Sequence, residues 1–335
     1  MIRIIPYETL PSQITSSTTI DGTVSNLTQR VLTAVVAIPL IIALCMLGEI
    51  YFFLFVAAAS TVALIEYYHL AEAKSTKPQT ALGAAAGVCI TLSFFHAKLQ
   101  SYLVGIFLGL GIQIPFPSQT QLLLIIMIVA VAVLTLVELF RNDGSALLNL
   151  SSTLFGLLYV SLFFGTFVGI RELFQIDDPQ VASYFQSVLR MADRAAIYRY
   201  GGFTVVSIFA IIWICDSAAF HFGKSMGKHK LFPRVSPNKS WEGAIFGFLF
   251  AVGSAIAAKY LVLEYLPVQG AVIIGMIVGI FGQLGDLTES LLKRDAGVKD
   301  SSTLIPGHGG AFDRFDSLLL VSPLVYLYLD FILFS

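Results

Sequence analysis

Apolar runs about as long as a lipid bilayer is thick dominate this chain, and they leave it few folds. Nine of them lie near residues 31–48, 51–70, 80–97, 122–140, 149–170, 203–222, 243–263, 268–287 and 312–334. Each approaches the ~20 residues that an α-helix needs to cross hydrocarbon. A helix satisfies its own backbone where no water can reach. The composition agrees, with 56% hydrophobic and only 12% charged residues, against roughly 25% charged in soluble domains. The sequence therefore predicts an all-α polytopic integral membrane protein of about nine transmembrane helices, with a polar active-site cleft on the cytoplasmic side. The run 102–114 is glycine-rich and too short to span, so it reads as re-entrant or interfacial.

Lysine and arginine placement sets the orientation. With the N-terminus inside, 14 of the 20 basic residues are cytoplasmic, leaving Lys98, Arg171, Arg190, Arg194, Arg199 and Lys259 outside. The expected organisation is a polar tail over 1–29, a scaffold of about five helices over 30–170, an external loop over 171–202, and a catalytic region of about four helices over 203–335. Cys45, Cys89 and Cys215 fall inside apolar runs at no metal-ligand spacing and read as reduced packing residues. Glu66, beside Tyr67, Tyr68 and His69 at the end of the second run, reads first as a snorkelling interfacial cluster.

The polar chemistry is concentrated in the second half. Asp216 lies inside the sixth run, where a carboxylate must face a wet cavity, a cation or a hydrogen-bond partner. The loop after it carries Lys224, Lys228, Lys230, Arg234 and Lys239, and ends in Ser236-Pro237-Asn238-Lys239-Ser240-Trp241-Glu242-Gly243. Serine and lysine side chains where a helix begins suit a phosphate. Gly223-Lys224-Ser225 is no P-loop, because the required first glycine is Ala218. Further on, Asp286, Glu289, Ser290 and Lys293 stand at i, i+3, i+4 and i+7, one polar face of a helix. Asp313 and Asp316 stand one turn apart at the start of the last run. Carboxylates with positions left open for substrate phosphate are what Mg2+ prefers, and a pair of cations is equally compatible. Between them run Lys293, Arg294, Lys299, Asp300, His308 and Arg314, with glycines at 307, 309 and 310. The basic members bind phosphate oxygens.

Ser290-x-Leu292-Lys293-Arg294, Lys299-Asp300 and Pro306-x-His308-Gly309-Gly310-x-x-Asp313-Arg314-Phe315-Asp316 resemble the signature of the phosphatidate cytidylyltransferases, the CDP-diacylglycerol synthases. The segments Asp216–Phe220 and Ser236–Gly243 are also similar to family motifs. Ala311 stands where the family usually has a larger aliphatic residue, and Ser240 where threonine is common. The likeness is strong over roughly 213–330 and architectural before that. It implies that CTP and phosphatidic acid give CDP-diacylglycerol and pyrophosphate, with Mg2+ and room for a second cation. It implies further that Asp286, Asp313 and Asp316 hold the metal, and that Lys239, Lys293, Arg294, Lys299 and Arg314 neutralise phosphate oxygens. Ser290 and His308 would orient phosphate or leaving group, with Asp216, Ser236, Glu242 and Asp300 lining the substrates.

Partners are then CTP, phosphatidic acid and membrane lipids, with no nucleic acid; a homodimer is left open. The expected location is a bacterial inner membrane. Two rivals share the anionic site. A CTP-dependent polyprenol-type lipid kinase would need a base for its hydroxyl substrate. A cation transporter would use Asp216 and Asp286 in mid-membrane.

Overall fold

The computed structural model describes residues 26–111, 115–302, 304 and 309–335. Residues 1–25 of the expected tail and the candidate His308 lie outside them. Seven helices among the described residues are long and apolar enough to cross a membrane: α2 (Glu49–Glu72), α5 (Gln119–Phe140), α6 (Ala146–Glu172), α8 (Arg194–Met226), α9 (Trp241–Leu261), α10 (Val268–Asp295) and α12 (Asp316–Leu333). The remaining helices are α1 (Asn26–Leu47), α3 (Thr80–Ser93), α4 (His96–Gly109), α7 (Pro179–Leu189) and α11 (Ala311–Arg314). The expected nine is reached only by adding α1 and α3.

The third apolar run does not continue to residue 97. It stops at Ser93 and turns by 90° into α4. Two buried aromatic rings hold the corner: Phe94 meets Tyr326 edge-on at 5.6 Å and Phe95 stacks on Phe53 at 5.0 Å. Helix α4 buries none of its residues, which suits an interfacial segment for the part of 102–114 that is described.

The segment 171–202 is not a loop throughout. It contains α7, whose first N–H groups are capped by the Asp178 carboxylate, and the first two turns of α8. Arg171 does not face water at all. It is fully buried, donates to the carbonyls of Cys45, Met46 and Tyr198, and lies 4.1 Å over the Tyr198 ring. The carbonyls at the end of α1 take the place of solvent for this cation. Arg171 therefore carries no weight as a loop charge in the orientation argument.

The all-α expectation needs one correction. Strands β1 (Lys230–Phe232) and β2 (Ser236–Ser240) form an antiparallel hairpin, with Lys230 opposite Ser240 and Phe232 opposite Ser236. Pro233 and Pro237 cannot continue a helix, and Pro233 occupies the second position of the turn closed by Val235 N–H on the Phe232 carbonyl at 3.1 Å. The hairpin links α8 to α9, which pack against each other along Ala219, Gly223 and Gly243. A Cβ on Gly243 would come within 2.6 Å of the Ala219 carbonyl. Gly223-Lys224-Ser225 is thus the last part of a helix at a close crossing, in keeping with the rejection of a phosphate loop.

Candidate active site

Helix α10 changes character halfway along. Its apolar first part passes through a π turn, Val278–Gly282, into the polar stretch Gln283–Asp295. Single π turns of this kind are often found at functional sites. Gln283 fastens this one to α9, donating to the carbonyls of Gly279 at 2.6 Å and Ala244 at 3.0 Å. From there Asp286, Glu289, Ser290 and Lys293 follow on one helical face, as their spacing predicts.

Three elements meet on that face: α10, the start of α12 at Asp316, and the end of β2 at Lys239. Oxygen atoms of Asp286, Glu289 and Asp316 all lie within 4.8 Å of one another. Lys239 Nζ sits 2.7 Å from Asp286, and Ser290 Oγ is 3.3 Å from the same carboxylate. Lys293 Nζ stands between Glu289 at 2.8 Å and Asp313 at 2.7 Å. Beside the cluster opens a cavity of about 620 Å³ between α8, α9, α10 and the hairpin, lined by Asp216, Lys224, Lys230, Lys239 and Asp286. Hard carboxylate oxygens, two of the three in partly open surroundings, fit a small divalent cation that retains outer ligands.

This gathering differs in one member from the trio expected to hold metal. Glu289 takes the place of Asp313. The Asp313 carboxylate is instead engaged by Lys293, by the Ser301 N–H and hydroxyl at 3.0 Å each, and by the Gly310 N–H at 2.8 Å. Burial pushes the Asp313 carboxyl up, but hydrogen bonding with Glu289, Lys293 and those two N–H groups outweighs it and holds the group below the usual carboxylate range. Glu289 was legible as part of the polar face, since three residues after Asp286 is one helical turn; nothing in the spacing said that it would approach Asp316.

The other candidates separate into two groups. Asp216 and Lys239 line the cavity. Ser236 faces Phe232 in the hairpin, and Glu242 accepts from the N–H groups of Lys228 and His229 and from the His229 ring at 2.6 Å. The Ser240 hydroxyl caps its own helix through Gly243 N–H. The start of α9 is therefore occupied by its own side chains, and Glu242 braces the hairpin. Arg294, Lys299, Asp300 and Arg314 are exposed and lie off the cavity; Arg294 donates to the Val298 carbonyl at 2.9 Å.

Sequence reasoning undervalued Glu66. It does not snorkel to an interface: it is 4% exposed and accepts hydrogen bonds from the loop that carries Asp313. Only its position inside a membrane span signalled that it needed partners.

A model of the cytidylyltransferase family matches residues 28–332. The phosphatidate cytidylyltransferase of Synechocystis sp. is 31% identical over 313 residues, covering 91% of this chain and 97% of that protein. That of Bacillus subtilis is 30% identical over 313 residues, covering 90% and 97%. That of Staphylococcus aureus is 46% identical over 125 residues, which is 37% of this chain and 48% of that protein.

Proposed function

The chain belongs to the cytidylyltransferase family, and we propose that it performs the reaction of the relatives it matches along nearly their whole length. Phosphatidate and CTP give CDP-diacylglycerol and pyrophosphate. A phosphatidate oxygen forms a bond to the α-phosphorus of CTP while the bond from that phosphorus to the departing pyrophosphate breaks. The nucleophile is already an anion, so the protein needs no strong general base. It must neutralise charge and hold the reacting groups in line.

The observation that carries this reading is the cavity. It sets lysines from three elements, Lys224, Lys230 and Lys239, against a cluster of three carboxylates at the polar end of a membrane helix. Lys224 and Lys230 supply point charges for triphosphate oxygens. Lys239 neutralises Asp286 and is within reach of the same phosphates. Asp286, Glu289 and Asp316 would hold Mg2+. When bound, the cation offsets phosphate charge as it develops on the leaving group. Lys293 keeps Glu289 and Asp313 together in their buried setting, and Ser290 orients Asp286. A second cation, and roles for Arg294, Lys299, Asp300, Arg314 and His308 at the phosphates, are further parts of the proposal that rest on the motif likeness.

The site is proposed to face the cytoplasm of a bacterial inner membrane, where soluble CTP meets a lipid headgroup. The excess of basic residues on that side supports it, and setting aside buried Arg171 strengthens the bias. The test is pyrophosphate release by detergent-purified protein given CTP, phosphatidate and Mg2+, with dATP and lipid-free controls. Pyrophosphate that requires both CTP and lipid is expected. Release of CDP instead would replace the reading with a lipid kinase, and neither product from folded protein would overturn it.

A further inference from the structure

We propose that Glu66, on α2 in the first half of the chain, is a positioning residue that clasps the loop before the catalytic helix starts; the inference rests on the function proposed above. Both carboxylate oxygens are in use. Oε1 accepts from the Ser302 hydroxyl at 2.6 Å and the Ala311 N–H at 3.1 Å, and Oε2 accepts from the Ser301 hydroxyl at 3.0 Å and the Phe312 N–H at 2.8 Å. One side chain thus ties together the two ends of the segment between residues 301 and 312. Those ends are also joined by Asp313, which accepts from the same Ser301 and from Gly310.

The clasp is built closely. Gly310 leaves no room for a side chain, since a Cβ there would overlap the Ser301 hydroxyl and the Glu66 carboxylate. Phe312 is fully buried, with its ring 6.3 Å from Tyr67, the neighbour of Glu66 on α2. All four hydrogen bonds end on a group with 4% exposure, where an unmatched donor or acceptor is expensive. Asp313 follows Phe312 directly, and Asp316 begins α12 three residues later. Holding 311–312 on α2 therefore helps set where Asp313 meets Lys293, and it acts together with the packing of Gly285 on the Asp316 carbonyl to place Asp316 beside Asp286 and Glu289.

Each oxygen of Glu66 accepts from one backbone N–H, so Glu66→Gln is a sharp perturbation: wherever the amide nitrogen lies it confronts the Ala311 or Phe312 N–H, although a serine hydroxyl can turn to accept from it. Ser302→Ala is the milder variant, removing one bond to Glu66 and none to Asp313. Two readouts apply to purified protein with far-UV circular dichroism as a folding check. Hydrogen exchange of the peptide spanning 309–315 reports the clasp without any turnover. Exchange about tenfold faster or more is expected in Glu66→Gln, with a smaller rise in Ser302→Ala. Pyrophosphate release from CTP and phosphatidate reports the consequence, expected as a fall in kcat of about tenfold or more with KM for CTP changed less than threefold. Unchanged exchange in Glu66→Gln would overturn the clasp. Faster exchange with unchanged kcat would overturn the positioning role. An unmutated protein that makes no pyrophosphate would instead refute the proposed reaction and leave the exchange result standing.

Discussion

Lys293→Met isolates the counter-ion at the centre of the site. The Nζ lies 2.8 Å from Glu289 and 2.7 Å from Asp313, with Lys293 9% and Glu289 1% exposed. At an effective dielectric of about 20, two unit charges at such distances attract by roughly 6 kcal/mol per contact, before desolvation is subtracted. Removing one partner of a buried pair leaves the other charge uncompensated, at a net loss of about 3–5 kcal/mol. Here the stranded charge is that of Asp313, which keeps its Ser301 and Gly310 donors, so the lower end of that range applies. The assay is denaturant unfolding of the detergent-solubilised protein without Mg2+, followed by circular dichroism. Adding Asp313→Asn to Lys293→Met removes the stranded charge and should recover a third or more of the loss, a coupling read from the double-mutant cycle. Added Mg2+ should stabilise Lys293→Met more than the unmutated protein, because a cation bound at the proposed site of Asp286, Glu289 and Asp316 would take over part of the lysine's task. A loss below about 1 kcal/mol, the scale of an exposed ion pair, would refute the reasoning.

Asp316→Asn should weaken Mg2+ dependence of turnover by about 100-fold, read from a Mg2+ titration of pyrophosphate release. Asp313→Asn should also abolish measurable turnover in folded protein, but through Lys293 and the loop. Its Mg2+ binding, followed by isothermal titration, should weaken by about tenfold, the scale of a group one shell out from the ligands, and retained activity would contradict its role. Gly243→Ala places a methyl group against the Ala219 carbonyl; parting α8 from α9 should lower stability by about 1–3 kcal/mol and raise KM for CTP, checked by unfolding and by initial rates.

What could be read from the sequence was whatever a single helix determines. The i, i+3, i+4, i+7 spacing of Asp286, Glu289, Ser290 and Lys293 put them on one face, and the structure keeps them there. The hairpin was not anticipated, although Pro233 and Pro237 are residues that cannot continue a helix. What could not be read depends on contacts between elements. The run 80–97 has unbroken hydropathy, and its corner comes from rings on Tyr326 and Phe53 in other helices. Arg171 looked like a loop charge because nothing in its neighbourhood shows that α1 offers it carbonyls 125 and 126 residues away. The Lys239–Asp286 pair requires α9 and α10 to be neighbours, which no spacing encodes.

Glu66 is the sharpest of these cases, and it bears on the division of the chain into scaffold and catalytic halves. Its partners are 235 to 246 residues distant. Helix α10 fixes the distance from Asp286 to Glu289, because they share a backbone. It does not fix the distance from either to Asp316, which belongs to a different helix reached through a long loop. That distance is set first where α12 packs on α10, with Gly285 against the Asp316 carbonyl, and then by what anchors the loop, Lys293 from α10 and Glu66 from α2. The first half of the chain thus supplies part of the geometry on which the second half's carboxylates depend.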